Sequence, residues 1–333
     1  MNTTLSADDM NGRDGAAGPG DPGSTGTAAS PNTTPNLVNA MTWLVRREFW
    51  ENRAIWMLPA VIGGLLILAS LFGGYQVLGA ADLSTVQAVV QAGAVDGMLF
   101  IVGLFFIVMS IYSTWYLLDC LYADRKDRSV LFWKSLPVSD TATVMSKLGV
   151  ALIVVPLVYF AIADFTTLAV SFVVSVRASS YVGSSLWRGS TWMGLQVLWL
   201  YLIVTSAIWF LPVAAWLLVV SAWAKRAVML WAILPLVAAI LVERLFVGTN
   251  VVGRELAERL GGYVAHAFYY TAGDANWVVT DIGHHGTITA PVSVLRFVNL
   301  DGFFTSPDTW IGAAVGVALI AGAIQLRIRR TET

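Results

Sequence analysis

Charged side chains are scarce in this sequence. Only 12% of its 333 residues are Asp, Glu, Lys or Arg, whereas 57% are hydrophobic. Soluble domains carry about a quarter charged residues, so this scarcity indicates that lipid solvates most of the chain. The charges cluster between long apolar runs, and the net charge of −1 gives no indication of a nucleic-acid partner.

Two further absences limit the chemistry. The single cysteine, Cys120, excludes an intramolecular disulfide bond. The phosphate-binding pattern G-x-x-x-x-G-K-[ST] does not occur, so we do not expect ATP to bind to this chain through a P-loop. No set of nucleophile and acid–base residues stands out, and the adjacent His284 and His285 do not suit one metal ion. We therefore expect no enzyme activity, no cofactor and no metal, and a source of energy outside the chain.

Residues 1–36 have almost no bulky apolar side chains. They are rich in Gly, Pro, Ser, Thr, Asn and Asp, and such a segment cannot bury enough surface to offset the entropy lost on ordering. We expect a disordered cytoplasmic tail. The segment also lacks the pattern of a cleaved signal peptide, so the first apolar segment is expected to direct membrane insertion.

Long apolar runs dominate the rest of the chain. A hydrocarbon core about 30 Å thick needs roughly 20 apolar residues in a helix. Six segments satisfy this requirement, and three of them contain a proline that can mark a kink (Pro156, Pro212 and Pro235). The predicted spans are residues 57–78, 98–118, 148–176, 192–222, 227–242 and 310–326. We expect an all-α integral membrane protein with six transmembrane helices, an N-terminal interfacial amphipathic helix and an extracytoplasmic region between spans five and six.

The distribution of Lys and Arg predicts the orientation. With the amino terminus in the cytoplasm, fourteen of these residues lie in the cytoplasmic segments and six in the outer segments. Both termini are therefore expected on the cytoplasmic side of the inner membrane. The outer region, residues 248–308, contains one plausible short helix at 251–260 and an alternating Thr/Val pattern near 287–294 that suits a strand.

Residues 37–56 have the pattern of an amphipathic helix before the first span. Apolar side chains recur at helical spacing among charged ones, and tryptophans of the segment can lie among the lipid headgroups. We expect this helix on the inner membrane surface, with the chain turning into the membrane at Pro59. The residues assigned to the interfacial helix are Arg46, Arg47, Glu48 and Trp50.

The loop between spans two and three, residues 123–147, combines basic and aromatic side chains. Pro137 interrupts any helix, and Ser139 or Asp140 can cap the helix that follows. The loop contains an apolar cluster surrounded by basic side chains, and such a cluster suits docking into a protein groove. An ordinary positive-inside loop with its aromatic side chains on the headgroups is an equally acceptable interpretation.

The sequence resembles the permeases of ABC-2 type transporters. The resemblance is carried by LVRREFWENRAIWMLP before the first span and by DRKDRSVLFWKSLPVSD, with a following SK, between spans two and three. The order of six spans, with an enlarged region before the last, agrees with it. The resemblance covers most of the chain from Leu37 onward.

The resemblance implies an exporter subunit whose ATPase is a separate chain. In that family the loop between spans two and three forms a coupling helix on the ATPase, and two permease halves, identical or different, pair with two ATPase subunits. Phe132, Trp133 and Leu136 would be the anchors of this contact. The full set of implied contact residues is Asp124, Arg125, Lys126, Asp127, Arg128, Leu131, Phe132, Trp133, Lys134, Leu136 and Pro137.

Polar residues within the spans suggest a pathway. Asp164 lies in the middle of the third span, where a carboxylate is costly and often faces a polar interior. Ser110 and Thr114 lie on one face of the second span, where hydroxyls either line a path or join helices. An ion-coupled secondary transporter that uses Asp164 is the alternative function, and a structural or sensor subunit also fits the sequence.

Overall fold

The computed structural model describes residues 37–73, 83–126, 139–177, 186–268, 277–281, 287–291, 295 and 298–331. The predicted tail, residues 1–36, lies outside this part of the chain. So do residues 127–138, which include most of the predicted ATPase contact, and His284 and His285.

The described chain is mainly helical, with one two-stranded antiparallel sheet. The helices are α1 (Leu37–Glu51), α2 (Ala54–Phe72), α3 (Leu83–Lys126), α4 (Asp140–Gly149), α5 (Val155–Arg177), α6 (Gly189–Trp209), α7 (Leu211–Trp223), α8 (Val228–Val242), α9 (Val251–Gly261), α10 (Tyr263–Ala267), α11 (Leu300–Thr305) and α12 (Pro307–Thr331). A π-helical turn, Val150–Val154, joins α4 to α5, and a second, Glu243–Val247, extends α8. The strands are β1 (Trp277–Asp281) and β2 (Thr287–Pro291).

Six of the described helical segments are long and apolar enough to cross a membrane, which confirms the expected fold class. Each overlaps one of the six predicted spans. They are Ala54–Phe72, Gly93–Lys126, Asp140–Arg177, Gly189–Trp209, Val228–Val247 and Pro307–Arg329. The fifth is almost entirely exposed, with 6% of its most apolar window buried, as expected for a helix that faces lipid.

Proline positions explain two irregularities in the long helices. The fourth predicted span is divided at Phe210, because Pro212 cannot donate the backbone hydrogen bond that a continuous helix requires. In the third span, the π-helical turn lies just before Pro156. The wider turn accommodates the proline ring, which would otherwise meet the carbonyl group four residues earlier.

The first helix ends earlier than the sequence suggested. The helix is interrupted at Asn52 and Arg53, between α1 and α2, and Pro59 lies buried within α2. The prediction of a turn at Pro59 is therefore wrong. One missing N–H group is tolerated within an apolar helix, whereas the polar Asn52 and Arg53 favour the break between the helices.

Helix α7 occupies the centre of the packing and contacts α3 and α12 along its length. Small buried residues such as Ala214 and Ala215 permit this close approach. Gly316 of α12 lies directly against Leu211 and Pro212, where an added Cβ would stand 3.0 Å from the proline nitrogen. Gly316 therefore serves packing within the chain.

The region between the fifth and sixth spans contains the two predicted elements. Helix α9 confirms the helix expected at 251–260. Strand β2 confirms the strand pattern over Thr287–Pro291, and residues 292–294 lie outside the described part. The register of the pair runs from Trp277 opposite Pro291 to Asp281 opposite Thr287.

Candidate functional site at the base of the second loop

Charged side chains from four helices meet where the loop between spans two and three begins and ends. We call this cluster the basal network. Its members are Glu48 of α1, Asp124 of α3, Asp140 and Lys147 of α4, and Arg327 of α12. The network thereby joins α1, α3 and α4 to α12.

The start of α4 is fixed by a cap. Ser139 has extended backbone angles, and its hydroxyl accepts a hydrogen bond of 3.1 Å from the amide of Ala142. This arrangement confirms the predicted cap and satisfies an amide that would otherwise have no partner in the helix. Asp140 occupies the first turn, where a negative charge is favourable because of the helix dipole. The cap therefore sets the position from which Lys147 projects two turns later.

Lys147 is the centre of the basal network. Its Nζ lies 2.8 Å from Glu48 Oε1 and 3.2 Å from Asp124 Oδ2, and the Lys147 side chain is only 4% exposed. The hydroxyl of Tyr116 donates to Glu48 Oε2 at 2.9 Å. A buried charge is stable only when it is paired and hydrogen-bonded, and this geometry satisfies that condition for the ammonium group and both carboxylates.

Arg327 bridges the two ends of the loop. Its Nε lies 2.7 Å from Asp140 Oδ1, and its Nη1 lies 3.8 Å from Asp124 Oδ2. Asp124 precedes residues 127–138 and Asp140 follows them. The two points from which this segment departs are therefore held together by one guanidinium group, itself attached to α12.

A second arginine ties the end of α3 to the end of α7. Arg125 donates through Nη2 to the carbonyl oxygen of Ser221 and, at 2.9 Å, to that of Ala224. Ser221 in turn accepts from the amides of Leu121 and Tyr122 through its hydroxyl. A cation at the carbonyl end of a helix is favourable, so Arg125 stabilises the end of α7 while it fixes α3.

The structure assigns internal contacts to several residues that the sequence placed at a surface. The Asp124 and Arg125 side chains, expected at the ATPase contact, bind groups of the same chain, whereas Lys126 is exposed. Among the interfacial residues, Glu48 is buried and Trp50 is 71% exposed. The remaining predicted contacts, Asp127, Arg128, Leu131, Phe132, Trp133, Lys134, Leu136 and Pro137, lie outside the described residues.

Sequence reasoning missed the inward position of Glu48, although a signal was present. Val45, Glu48 and Phe49 lie on one face of α1 by helical spacing, and all three contact the rest of the chain. A carboxylate between two apolar positions of an amphipathic helix indicates a buried partner. On the same helix, Arg46 is exposed and Arg47 pairs with Glu51 at 2.6 Å.

A cleft of about 760 Å³ lies beside the basal network, between α1, α3 and the start of α8. We call it the α1–α3 cleft. Carboxylates and aromatic rings share its wall with apolar side chains, including Trp115 of α3 and Met229 of α8. The cleft therefore offers both a charged and an apolar surface to a ligand.

The predicted pathway residues do not form one site. Asp164 accepts a hydrogen bond of 2.7 Å from the amide of Gln196, which joins α5 to α6. The hydroxyls of Ser110 and Thr114 bond to carbonyls of their own helix, and Ser113 donates to Ala151 across the helix contact. Asp164 lies thirteen residues beyond Ala151 in the sequence, about 20 Å along a helix, so the carboxylate and these hydroxyls are at different levels.

A second polar cluster surrounds Trp209 where α6 ends. The guanidinium group of Arg259 lies 4.5 Å from the Trp209 ring centroid, and the indole N–H donates to the Arg259 carbonyl at 2.9 Å. Burial lowers the pKa of Arg259, although Asp308 nearby opposes this change. Within the described ranges, Glu258, His266 and Asp308 are the group whose donor atoms, within 4.8 Å of one another, could hold a metal ion. The adjacent arginine already supplies a cation there and makes a metal less favourable.

Comparison with protein-family models, curated proteins and solved structures finds no match. The functional conclusions below therefore depend on the sequence patterns and on the geometry of the basal network and the cleft.

Proposed function

We propose that this chain is the permease subunit of an ABC-type exporter. It forms the transmembrane pathway in the inner membrane, with both termini in the cytoplasm, and it works as a homodimer or heterodimer of permease halves. The loop between spans two and three, over residues 124–137, makes the contact with a separate ATPase subunit, with Phe132, Trp133 and Leu136 as its anchors. The permease resemblance of the loop sequence and the six candidate spans support this function.

The observation that carries the proposal is the way the ends of this segment are held. Lys147 and Arg327 join Asp124, at the end of α3, to α4, α1 and α12. Because buried ion pairs are costly to separate, a displacement of residues 127–138 would move these helices together. A loop that receives force from an ATPase requires such a connection to the membrane helices.

A comparison of two double variants tests the proposal. The tagged chain is purified from its native membranes in mild detergent, and co-purifying proteins are identified by mass spectrometry. We expect a stoichiometric ATPase with the wild type, and loss of this ATPase when Phe132 and Trp133 are both changed to Ala. Buried aromatic anchors of an interface typically contribute about 2 kcal/mol each, so the loss of both, about 4 kcal/mol, should weaken binding roughly several hundredfold.

The matched control changes two large exposed side chains elsewhere. Leu245 and Phe246 are 77% and 82% exposed, and their replacement by Ala should leave the ATPase bound. Equal recovery of the ATPase with both double variants would contradict the assignment of the contact. Repeated recovery of the chain alone, in detergent that preserves other complexes, would refute the exporter.

The ion-coupled transporter is the second candidate, and Asp164 is the observation in its favour. This carboxylate lies within a candidate span, and its hydrogen-bond partner in the described chain is the neutral amide of Gln196. A carboxylate that is not neutralised by a cation can exchange a proton or bind a cation. Recovery of the chain without an ATPase, together with transport lost in Asp164→Asn, would favour this function.

A further inference from the structure

The charges on the wall of the α1–α3 cleft are unequal in number. Four carboxylates line the cleft against two cations, Arg47 and Lys147. Both cations are already paired, Arg47 with Glu51 and Lys147 with two acids of the basal network. The cleft therefore presents an excess of negative charge.

Asp119 is the acid without a partner. Within the described ranges it makes no hydrogen bond or ion pair, whereas the other three acids of the wall, Glu48, Glu51 and Asp124, each bind a cation. It lies on the last turns of α3 and is exposed. An unpaired carboxylate in a net negative cleft is suited to a positively charged group and repels an anion.

An aromatic and apolar surface adjoins this carboxylate. Trp115 precedes Asp119 by four residues, so both side chains lie on one face of α3, one turn apart. Trp115 is 57% exposed, and Met229 of α8, 52% exposed, also lines the cleft. Aromatic faces attract cations, and the apolar side chains provide a surface for a hydrophobic body.

We propose that the α1–α3 cleft binds an amphipathic organic cation, with its charge at Asp119 and its apolar body against Trp115 and Met229. The size of the cleft, about 760 Å³, is in the range of small-molecule sites. That such a cation is the transported substrate rests on the proposed exporter function. The binding itself does not, because it requires only the membrane chain.

Equilibrium dialysis with tetraphenylphosphonium tests the proposal on the purified full-length chain in a neutral maltoside detergent. Empty micelles give the background, and triphenylphosphine oxide serves as the uncharged analogue. We expect saturable binding of the phosphonium ion and much weaker binding of the oxide. Asp119→Asn and Trp115→Leu should each weaken binding about fivefold, as expected for one exposed charge or cation–π contact.

Two control variants separate binding from folding. Asp119→Glu keeps the charge and should retain the affinity, and Asp301→Asn removes an exposed acid of α11, outside the cleft lining, and should change nothing. Absence of saturable binding, equal binding of the neutral analogue, or unchanged affinity in both Asp119→Asn and Trp115→Leu would overturn the proposal.

The origin of the cation is distinguished by competition. Ammonium groups occur both in phosphatidylethanolamine headgroups and in free amphipathic amines. Displacement of the probe by lysophosphatidylethanolamine assigns a lipid headgroup as the occupant, and displacement only by a long-chain amine assigns a free cation; displacement by neither would overturn the proposal. The dialysis contains no ATPase, so it is independent of the co-purification experiment. Binding of the cation by a chain that recovers no ATPase would refute the exporter function alone. Recovery of the ATPase by a chain that binds no cation would refute this site alone.

Discussion

At the scale of single residues, Lys147 is a buried cation held between acids of two other helices. Its ammonium group is buried between Glu48 and Asp124; Glu48 pairs with it, and Asp124 pairs with both Lys147 and Arg327. Replacement by Met keeps the length of the side chain and removes the charge. We expect Lys147→Met to lower stability by about 3 kcal/mol, because it removes the cation that pairs with the buried Glu48 carboxylate.

Thermal melting in detergent measures this effect, and Glu51→Gln is the matched control. That variant also removes one partner of an ion pair, but the Glu51 side chain is 51% exposed. Exposed pairs contribute at most about 1 kcal/mol, so the control should melt close to the wild type. A melting temperature for Lys147→Met as high as that of the control would show that the basal network is not a structural connection.

At the scale of helices, alanine substitutions at two glycines of α12 distinguish the effect of packing from the effect of helix propensity. A Cβ at Gly316 would lie 2.8 Å from the Leu211 side chain and 3.0 Å from the Pro212 nitrogen, whereas at Gly322 nothing lies within 4 Å. Gly316→Ala must push α12 away from α7, at a cost of about 1–3 kcal/mol.

Gly322→Ala meets no neighbour and replaces a poor helix former, so it should be neutral or stabilising by up to about 1 kcal/mol. Melting of the two purified variants under the same conditions gives the comparison. If both alanines raise the melting temperature equally, α12 and α7 do not pack as closely as described here.

The helices themselves were predictable, and their side-chain partners were not. Uninterrupted apolar runs are sufficient to locate all six candidate spans. In lipid the backbone must satisfy its hydrogen bonds within a helix, and a helix needs about 20 apolar residues to cross the hydrocarbon core. The break at Phe210 follows from Pro212, at which the sequence analysis predicted a possible kink. Arg327 and Asp140 are separated by 187 positions, however, and their contact depends on how α12 lies against α4. No local pattern contains that information, so the basal network emerged only from the structure.

At the scale of the whole molecule, cysteine labelling tests the predicted orientation of the chain in the membrane. The buried Cys120 gives a natural background for cysteine labelling. Lys225 follows α7, Glu255 lies on α9, and both are exposed. The positive-inside distribution places Lys225 in the cytoplasm and Glu255 outside.

A membrane-impermeant maleimide should therefore label Glu255→Cys in intact cells, and Lys225→Cys only after permeabilisation. Wild-type protein, with Cys120 alone, should stay unlabelled in both conditions. Labelling in the opposite order would invert the topology and would move residues 127–138 away from any cytoplasmic ATPase.

The central claim is that the loop between spans two and three contacts an ATPase through residues 124–137, and site-specific photocrosslinking in cells tests it most directly. Benzoylphenylalanine is introduced at Trp133, and at Phe246 as an exposed aromatic control far from this loop in sequence. The account predicts that position 133 forms an adduct with a protein that contains a P-loop. Position 246 should form no such adduct. Adducts from position 133 that contain only lipid, or no adduct with an ATPase at any expression level, would contradict it.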